Sequence, residues 1–105
     1  MKNFVMVITS VPAKSVDKII NYILKNKLVA CVNRVRNVNS FYWWENKICK
    51  DKEDLLLIKT KKTLVNKIIE EIKKIHPYKI PEIISFEIYK ANKEYLKWIK
   101  EITTK

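Results

Sequence analysis

The sequence predicts an α+β fold, an antiparallel sheet with helices packed on one face, and three observations lead to it. Apolar spacing switches between strand-like runs and helical stripes in the order β-α-β-β-α-β-α. The second and third strand runs meet at a short polar turn and are far longer than the others. The 105 residues, 48% of them apolar, suffice for a single domain over residues 1–105 with a modest core.

The elements follow in order. Asn3 to Thr9 is an almost continuous apolar run, as in a central strand buried on both faces. Ser10-Val11-Pro12-Ala13 ends it. A first helix runs from about Lys14 to Asn26, with Val16, Ile19, Ile20, Ile23 and Leu24 on one stripe and Lys14, Lys18 and Lys25 mostly opposite. Pro12 suits the helix entry. Asn26, which tolerates a left-handed backbone, is the expected C-terminal cap. A second strand starts near Leu28-Val29-Ala30-Cys31 and runs to Trp44 without Pro or Gly. Glu45-Asn46-Lys47 is the turn. The third strand returns from about Lys47 to Thr60, and its charged stretch Lys50-Asp51-Lys52-Glu53-Asp54 is expected to be bulged or exposed. Thr60 is the candidate N-cap of a second helix from about Lys61 to Ile75, which His76-Pro77 stops. Pro77 to Pro81 leads to a fourth strand, Glu82 to Tyr89. A third helix starts at its cap, Asn92, carries Tyr95, Leu96, Trp98, Ile99 and Ile102, and frays between Ile99 and Lys105. The first six elements form the ferredoxin-like βαββαβ arrangement.

Strand length gives a further inference. From Cys31 to Trp44, at about 3.3 Å per residue, the chain reaches roughly 45 Å. A domain of this size has a radius of gyration near 13 Å by the usual scaling, about 13 Å for 100 residues. The hairpin should project past its own domain, tipped by Phe41, Tyr42, Trp43 and Trp44. Such an arm exposes apolar surface unless something covers it, and another copy of the chain is the economical cover. A homo-oligomer with these four aromatics at its interface is the expectation. A bulged hairpin folding back on its own core is the alternative.

Composition excludes several function classes. Glycine is absent, so phosphate-cradling loops, dinucleotide fingerprints and nucleophile elbows cannot be built. No apolar run approaches the roughly 20 residues of a membrane span. No leader with a cleavage site is visible at the start, so a cytoplasmic protein is expected. Cys31 and Cys49 then read as free thiols, and there is no C-x-x-C pair. The net charge is +11, which raises a nucleic-acid partner. Only Arg34 and Arg36 are arginine, however, and arginine is the usual phosphate and base reader. The aromatic cluster does not make an RNA-recognition motif either, because that motif needs glycine. Interface packing is the stronger reading of the aromatics, and a nucleic-acid partner is not expected.

His76 is the single histidine. As a metal ligand it needs helpers, since transition-metal sites use three or four protein groups. The candidates are Cys31, Cys49, Glu82 or His76 of a neighbouring copy. A histidine at a helix C-terminus, favoured by the negative end of the helix, is the structural alternative. Cys31 fits a small buried hydrophobe. Cys49 lies among lysines that favour a thiolate. Glu45 and Glu82 are not brought together by their spacing, so no acid–base pair follows.

The segments Ile8-Thr9-Ser10-Val11-Pro12, Leu28-Val29-Ala30-Cys31-Val32-Asn33, Ser40 to Lys47, Leu57-Ile58-Lys59-Thr60, His76-Pro77-Tyr78, Ile80-Pro81-Glu82-Ile83, and Asn92 with Tyr95-Leu96-Trp98 occur in one order along the chain. Together they resemble the CutA divalent-cation-tolerance family over nearly the whole length, about Val5 to Trp98. The resemblance implies a ferredoxin-like subunit in a tight cytoplasmic homotrimer, similar in architecture to the trimeric PII signal proteins. It implies tolerance of copper and other divalent cations, and no enzyme activity. Cu(II) or another divalent cation is the candidate ligand, with no cofactor required. Copper-binding relatives carry a cysteine in the first strand and a histidine pair before Pro-Tyr. Here those positions are Thr9, Ile75 and His76, so only His76 matches. Asn46 stands where the family's turn has glycine. The rival reading is a PII-like sensor holding a small ligand between subunits.

Overall fold

The computed structural model describes residues 3–104. Its elements are β1 (Phe4–Val11), α1 (Ala13–Lys25), β2 (Cys31–Trp44), β3 (Lys47–Lys61), a one-turn 3-10 helix (Lys62–Leu64), α2 (Val65–Ile75), β4 (Ile83–Glu87) and α3 (Lys93–Ile102). The four strands form one antiparallel sheet in the order β2-β3-β1-β4. This is the α+β ferredoxin-like βαββαβ fold, with a long β2–β3 hairpin and a C-terminal helix.

Strand side chains alternate between faces, and residues paired across strands share a face. Val5, Val7 and Val11 of β1 and Leu56 and Ile58 of β3 therefore point one way, onto Val16, Ile19 and Ile23 of α1 and Ile68 and Ile72 of α2. All are buried, and they form the main core. The opposite face carries Met6 and Ile8, their partners Phe86, Ile84 and Leu57, and Leu55 paired with Val35. Its Phe4 end is covered by Leu96 and Ile99 of α3. Phe86, Ile84 and Val35 remain 51%, 42% and 42% exposed. β1 is thus buried on its helix face and only half-buried at Met6 and Ile8, a difference from the two-sided burial read from its sequence.

Several helix ends differ from expectation for local reasons. Asn26 caps α1 with a right-handed φ of −87°, and Lys27 takes the left-handed position at φ 54°. Leu28 N–H bonds to Ile23 O and Lys27 N–H to Leu24 O, the paired bonds of a Schellman motif. Thr60 does not cap α2. It stays in β3, fully buried, and its hydroxyl donates to Leu28 O at 2.7 Å. α2 begins at Val65, after the 3-10 turn. Asn92 is the N-cap of α3 without a side-chain hydrogen bond. The C-terminal end does not fray from Ile99. Helix α3 continues to Ile102, Thr103 Oγ1 donates to Ile99 O, and Thr104 N–H donates to Lys27 O. Lys105 lies outside the described residues.

β1 pairs with β3 only from Asp54 to Lys61. Residues 47–53 of β3 pair with β2 alone. This is the arm, in a molecule measuring 44 × 26 × 22 Å. Its two-residue turn, Glu45 and Asn46, has φ of 49° and 62°, the positive pair that a type I′ hairpin requires. At the base of the arm the β2–β3 register shifts by one residue between Val35 and Val38. The extra residue lies in β2, where Asn37 sits at φ 59°. Opposite it Lys50 to Glu53 stay paired with β2, Asp54 pairs with Val11 of β1, and Glu53 and Asp54 are buried. No helix among the described residues is long and apolar enough to cross a membrane.

Candidate functional site

An open cleft of about 740 Å³ lies between the arm and the segment that joins α2 to β4. Its walls come from three places. Ser10 stands near the end of β1. Ser40 to Trp44 and Glu53 come from the arm. Pro77 to Ile80 and Glu82 come from the segment after α2. The path of that segment follows from Pro77 and Pro81, which prevent helix and ladder pairing, so it crosses the end of β1 before β4 begins.

His76 anchors the segment. It is the C-cap of α2, with extended backbone dihedrals and 8% exposure. Its Nε2 lies 2.8 Å from Ser10 O, and Tyr78 N–H donates to its Nδ1 at 3.1 Å. An N–H donated to Nδ1 requires that nitrogen bare, so the proton sits on Nε2 and is donated to Ser10 O. The ring therefore ties α2 to β1, and Tyr78 packs against it at 4.9 Å between centroids. Its one ring lone pair, on Nδ1, is taken by the Tyr78 amide.

Tyr78 O–H donates to Glu53 Oε2 at 2.7 Å. Burial, then this bond and the Glu53 charge, push the Tyr78 phenol well above its ordinary value. Tyr42 O–H donates to Asp51, and chiefly through that bond its phenol is pushed up to about 12. Ser10 Oγ donates to Glu82 Oε1 at 3.3 Å. The cleft thus carries two glutamates and two protonated phenols among aromatic walls, in a chain of net charge +11.

A second polar cluster sets the arm's direction. Asp54 accepts Arg34 Nε at 2.7 Å and Asn37 N–H at 3.1 Å, and Arg34 also reaches Asp17 at 3.4 Å. Burial opposes ionisation of Asp54, but the Asn37 amide and then Arg34 outweigh it and hold the carboxyl below its ordinary value. One carboxylate thus fixes both the bulge residue and the neighbouring strand.

The sequence-derived residues are placed as follows. Trp43 and Phe41 are 71% and 65% exposed, Trp44 and Tyr42 41% and 38%. By register Tyr42 and Trp44 share the face of Glu53. Cys31 and Cys49 are free and half-buried. Glu82 lines the cleft, whereas Glu45 stays in the arm's turn. Thr9 is fully buried, and its hydroxyl has no hydrogen-bond partner among the described residues. Among the described residues no three His, Cys, Asp or Glu side chains cluster as a metal site. Glu53, Asp54 and Tyr78 do not stand out as site residues in the sequence. The signal available is that Glu53 continues the alternation of Leu57 and Leu55, which puts a carboxylate on an apolar face.

Residues 4–102 match the family described as CutA1 divalent ion tolerance protein. The divalent-cation tolerance protein CutA of Pyrococcus horikoshii is 41% identical, over 96% of this chain and 99% of its own length. Protein CutA 1, chloroplastic, of Oryza sativa subsp. japonica is 41% identical over 94% of this chain and 56% of its own. The crystal structure of CutA1 from Oryza sativa superposes with a TM-score of 0.94 at 38% identity, covering 97% of this chain and 94% of that one. With the fold, the long arm and the full-length match in agreement, this chain belongs to the CutA1 divalent ion tolerance protein family.

Proposed function

We propose that the protein acts in divalent-cation tolerance as a cytoplasmic homotrimer without enzymatic activity, binding copper or another divalent cation through His76. The observation that carries the assembly is the part of the sheet face beyond α3, where Phe86, Ile84 and Val35 stay exposed, together with the exposed aromatics of the arm. Burying half of a large apolar side chain contributes about 1 kcal/mol. Phe86, Ile84 and Val35, each 42–51% exposed, then contribute several kcal/mol per subunit when a neighbour covers them. Three copies about one axis is the arrangement that family membership favours. Phe41, Tyr42, Trp43 and Trp44 are the arm's share of the contact.

For the cation, His76 offers the one imidazole. Its Nδ1, which accepts the Tyr78 amide, would be the nitrogen that holds a Cu(II) ion. Oxygen ligands from neighbouring carboxylates suit harder divalent ions. Sedimentation equilibrium tests the assembly: about three times the 12.6 kDa chain mass is expected, and a monomer ends the proposal. Calorimetric titration of Cu(II) into the wild type and His76→Ala tests the ligand. Equal affinities remove His76.

The cleft favours a second reading, a PII-like holder of a small ligand without metal. Its volume falls in the range of small-molecule sites. A thermal-shift screen with nucleotides, small anions and small cations tests it, and no shift with any class removes it.

A further inference from the structure

The geometry points to a small organic cation, an alkylammonium or quaternary ammonium compound, as the ligand of the cleft between the arm and the segment after α2. This deepens the small-ligand reading above and rests on it.

The argument starts from Glu53. Its residue is 5% exposed, yet it has no ion pair among the described residues. Its one hydrogen bond there comes from the neutral Tyr78 hydroxyl at 2.7 Å. A buried carboxylate ordinarily has a cation or several N–H donors to offset its lost hydration. Asp54, the next residue, illustrates the usual solution with its guanidinium and backbone amide. Glu53 lacks both and borders open space instead.

The remaining walls suit a cation. Tyr42 and Trp44 share the face of Glu53 on the arm, and Tyr78 closes the other side. Aromatic faces attract ammonium groups, more strongly when the site is partly desolvated. Glu82, held by Ser10, adds a second carboxylate at the rim. Lys79 stands at that rim and forms no ion pair with either glutamate. An anionic ligand, the usual expectation for a chain of net charge +11, meets two carboxylates here. An alkylammonium head against Glu53, with its carbon chain along Tyr42 and Trp44, matches the charge and the apolar walls together.

The test is a titration of the assembled protein with choline and with n-butylammonium, read by tryptophan fluorescence against sodium chloride at matched ionic strength. Saturable binding is expected, weakened at least tenfold by Glu53→Gln. Tyr78→Phe keeps the ring and the carboxylate and guards against misfolding of the first variant. It should bind at least as tightly as the wild type, and loss of binding in folded Tyr78→Phe overturns the assignment to Glu53. A response no larger than that to sodium chloride overturns the proposal. Equal affinity of Glu53→Gln and the wild type overturns it too. If anions protect the protein in a thermal-shift screen and the ammonium probes do not, the cation assignment falls while the small-ligand reading stands.

Discussion

Replacing Asp54 tests how the arm is aimed. Asp54→Ala removes the acceptor of Arg34 Nε and of the Asn37 amide at once. Hydrogen bonds to a charged group contribute about 1.5–3 kcal/mol each. Part of this is recovered, because the Arg34 side chain is 19% exposed and already touches Asp17. The expected loss is about 2–4 kcal/mol. Asp54→Asn keeps the shape and one acceptor for Asn37 but gives up the charge, so its loss is expected to be about half as large. Urea unfolding at fixed protein concentration measures both, since assembly makes stability concentration-dependent. The pH dependence is a second check. The Asp54 carboxyl lies below its ordinary value in the folded chain. Its contribution is therefore full above the unfolded pKa of about 3.9 and is lost as pH falls through the lower folded value. The difference between wild type and Asp54→Ala should shrink in that acid window. An alanine variant within about 0.5 kcal/mol of wild type at neutral pH, roughly the scatter of ordinary surface substitutions, would refute the view that this carboxylate holds the bulge.

Two other outcomes are expected. Lys27→Gly should raise stability by about 0.5–1 kcal/mol, because the side chain opposes the left-handed backbone at φ 54°; a lower urea midpoint contradicts this. Glu71 is held below its ordinary value by the Tyr22 hydroxyl and then Lys74. Tyr22→Phe should therefore lower stability at neutral pH, with the gap to wild type closing as pH falls below the unfolded Glu value of about 4.3. A gap that stays constant down to about pH 2 removes the Tyr22–Glu71 bond from the account.

The order of elements, the arm and the apolar stripes were legible because each rests on local spacing. Val16, Ile19 and Ile23 fall on one helical face whatever they touch, and an unbroken run to Trp44 has few ways to fold other than as a strand. Thr60 departs from the expected cap, and Asn26 caps α1 without the expected left-handed backbone, for the opposite reason. A threonine before a helix caps it only if the strand lets go, and here Leu28 O offers a buried acceptor that keeps Thr60 in the sheet. The left-handed turn moves from Asn26 to Lys27 because the Schellman bonds to Ile23 and Leu24 set the position, not side-chain preference. The charged stretch of β3 reads as bulged or exposed in the sequence, and Lys50 to Lys52 are exposed. Its Glu53 and Asp54 are buried because the bulge in β2 and the segment after α2 close over them.

By itself the sequence determined the secondary-structure order, the absence of glycine-built phosphate sites, the arm and the family. These depend on residue type and spacing along one chain. Only the tertiary structure decided that His76 ties α2 to β1 through Nε2 while its Nδ1 accepts the Tyr78 amide. It also decided that Glu53 and Tyr78 meet across a cleft, and that Phe86, Ile84 and Val35 stay exposed on the sheet face that α3 covers only at its Phe4 end. Those facts depend on contacts between residues as far apart as Ser10 and His76. Such contacts follow from strand order and register, which local spacing does not encode.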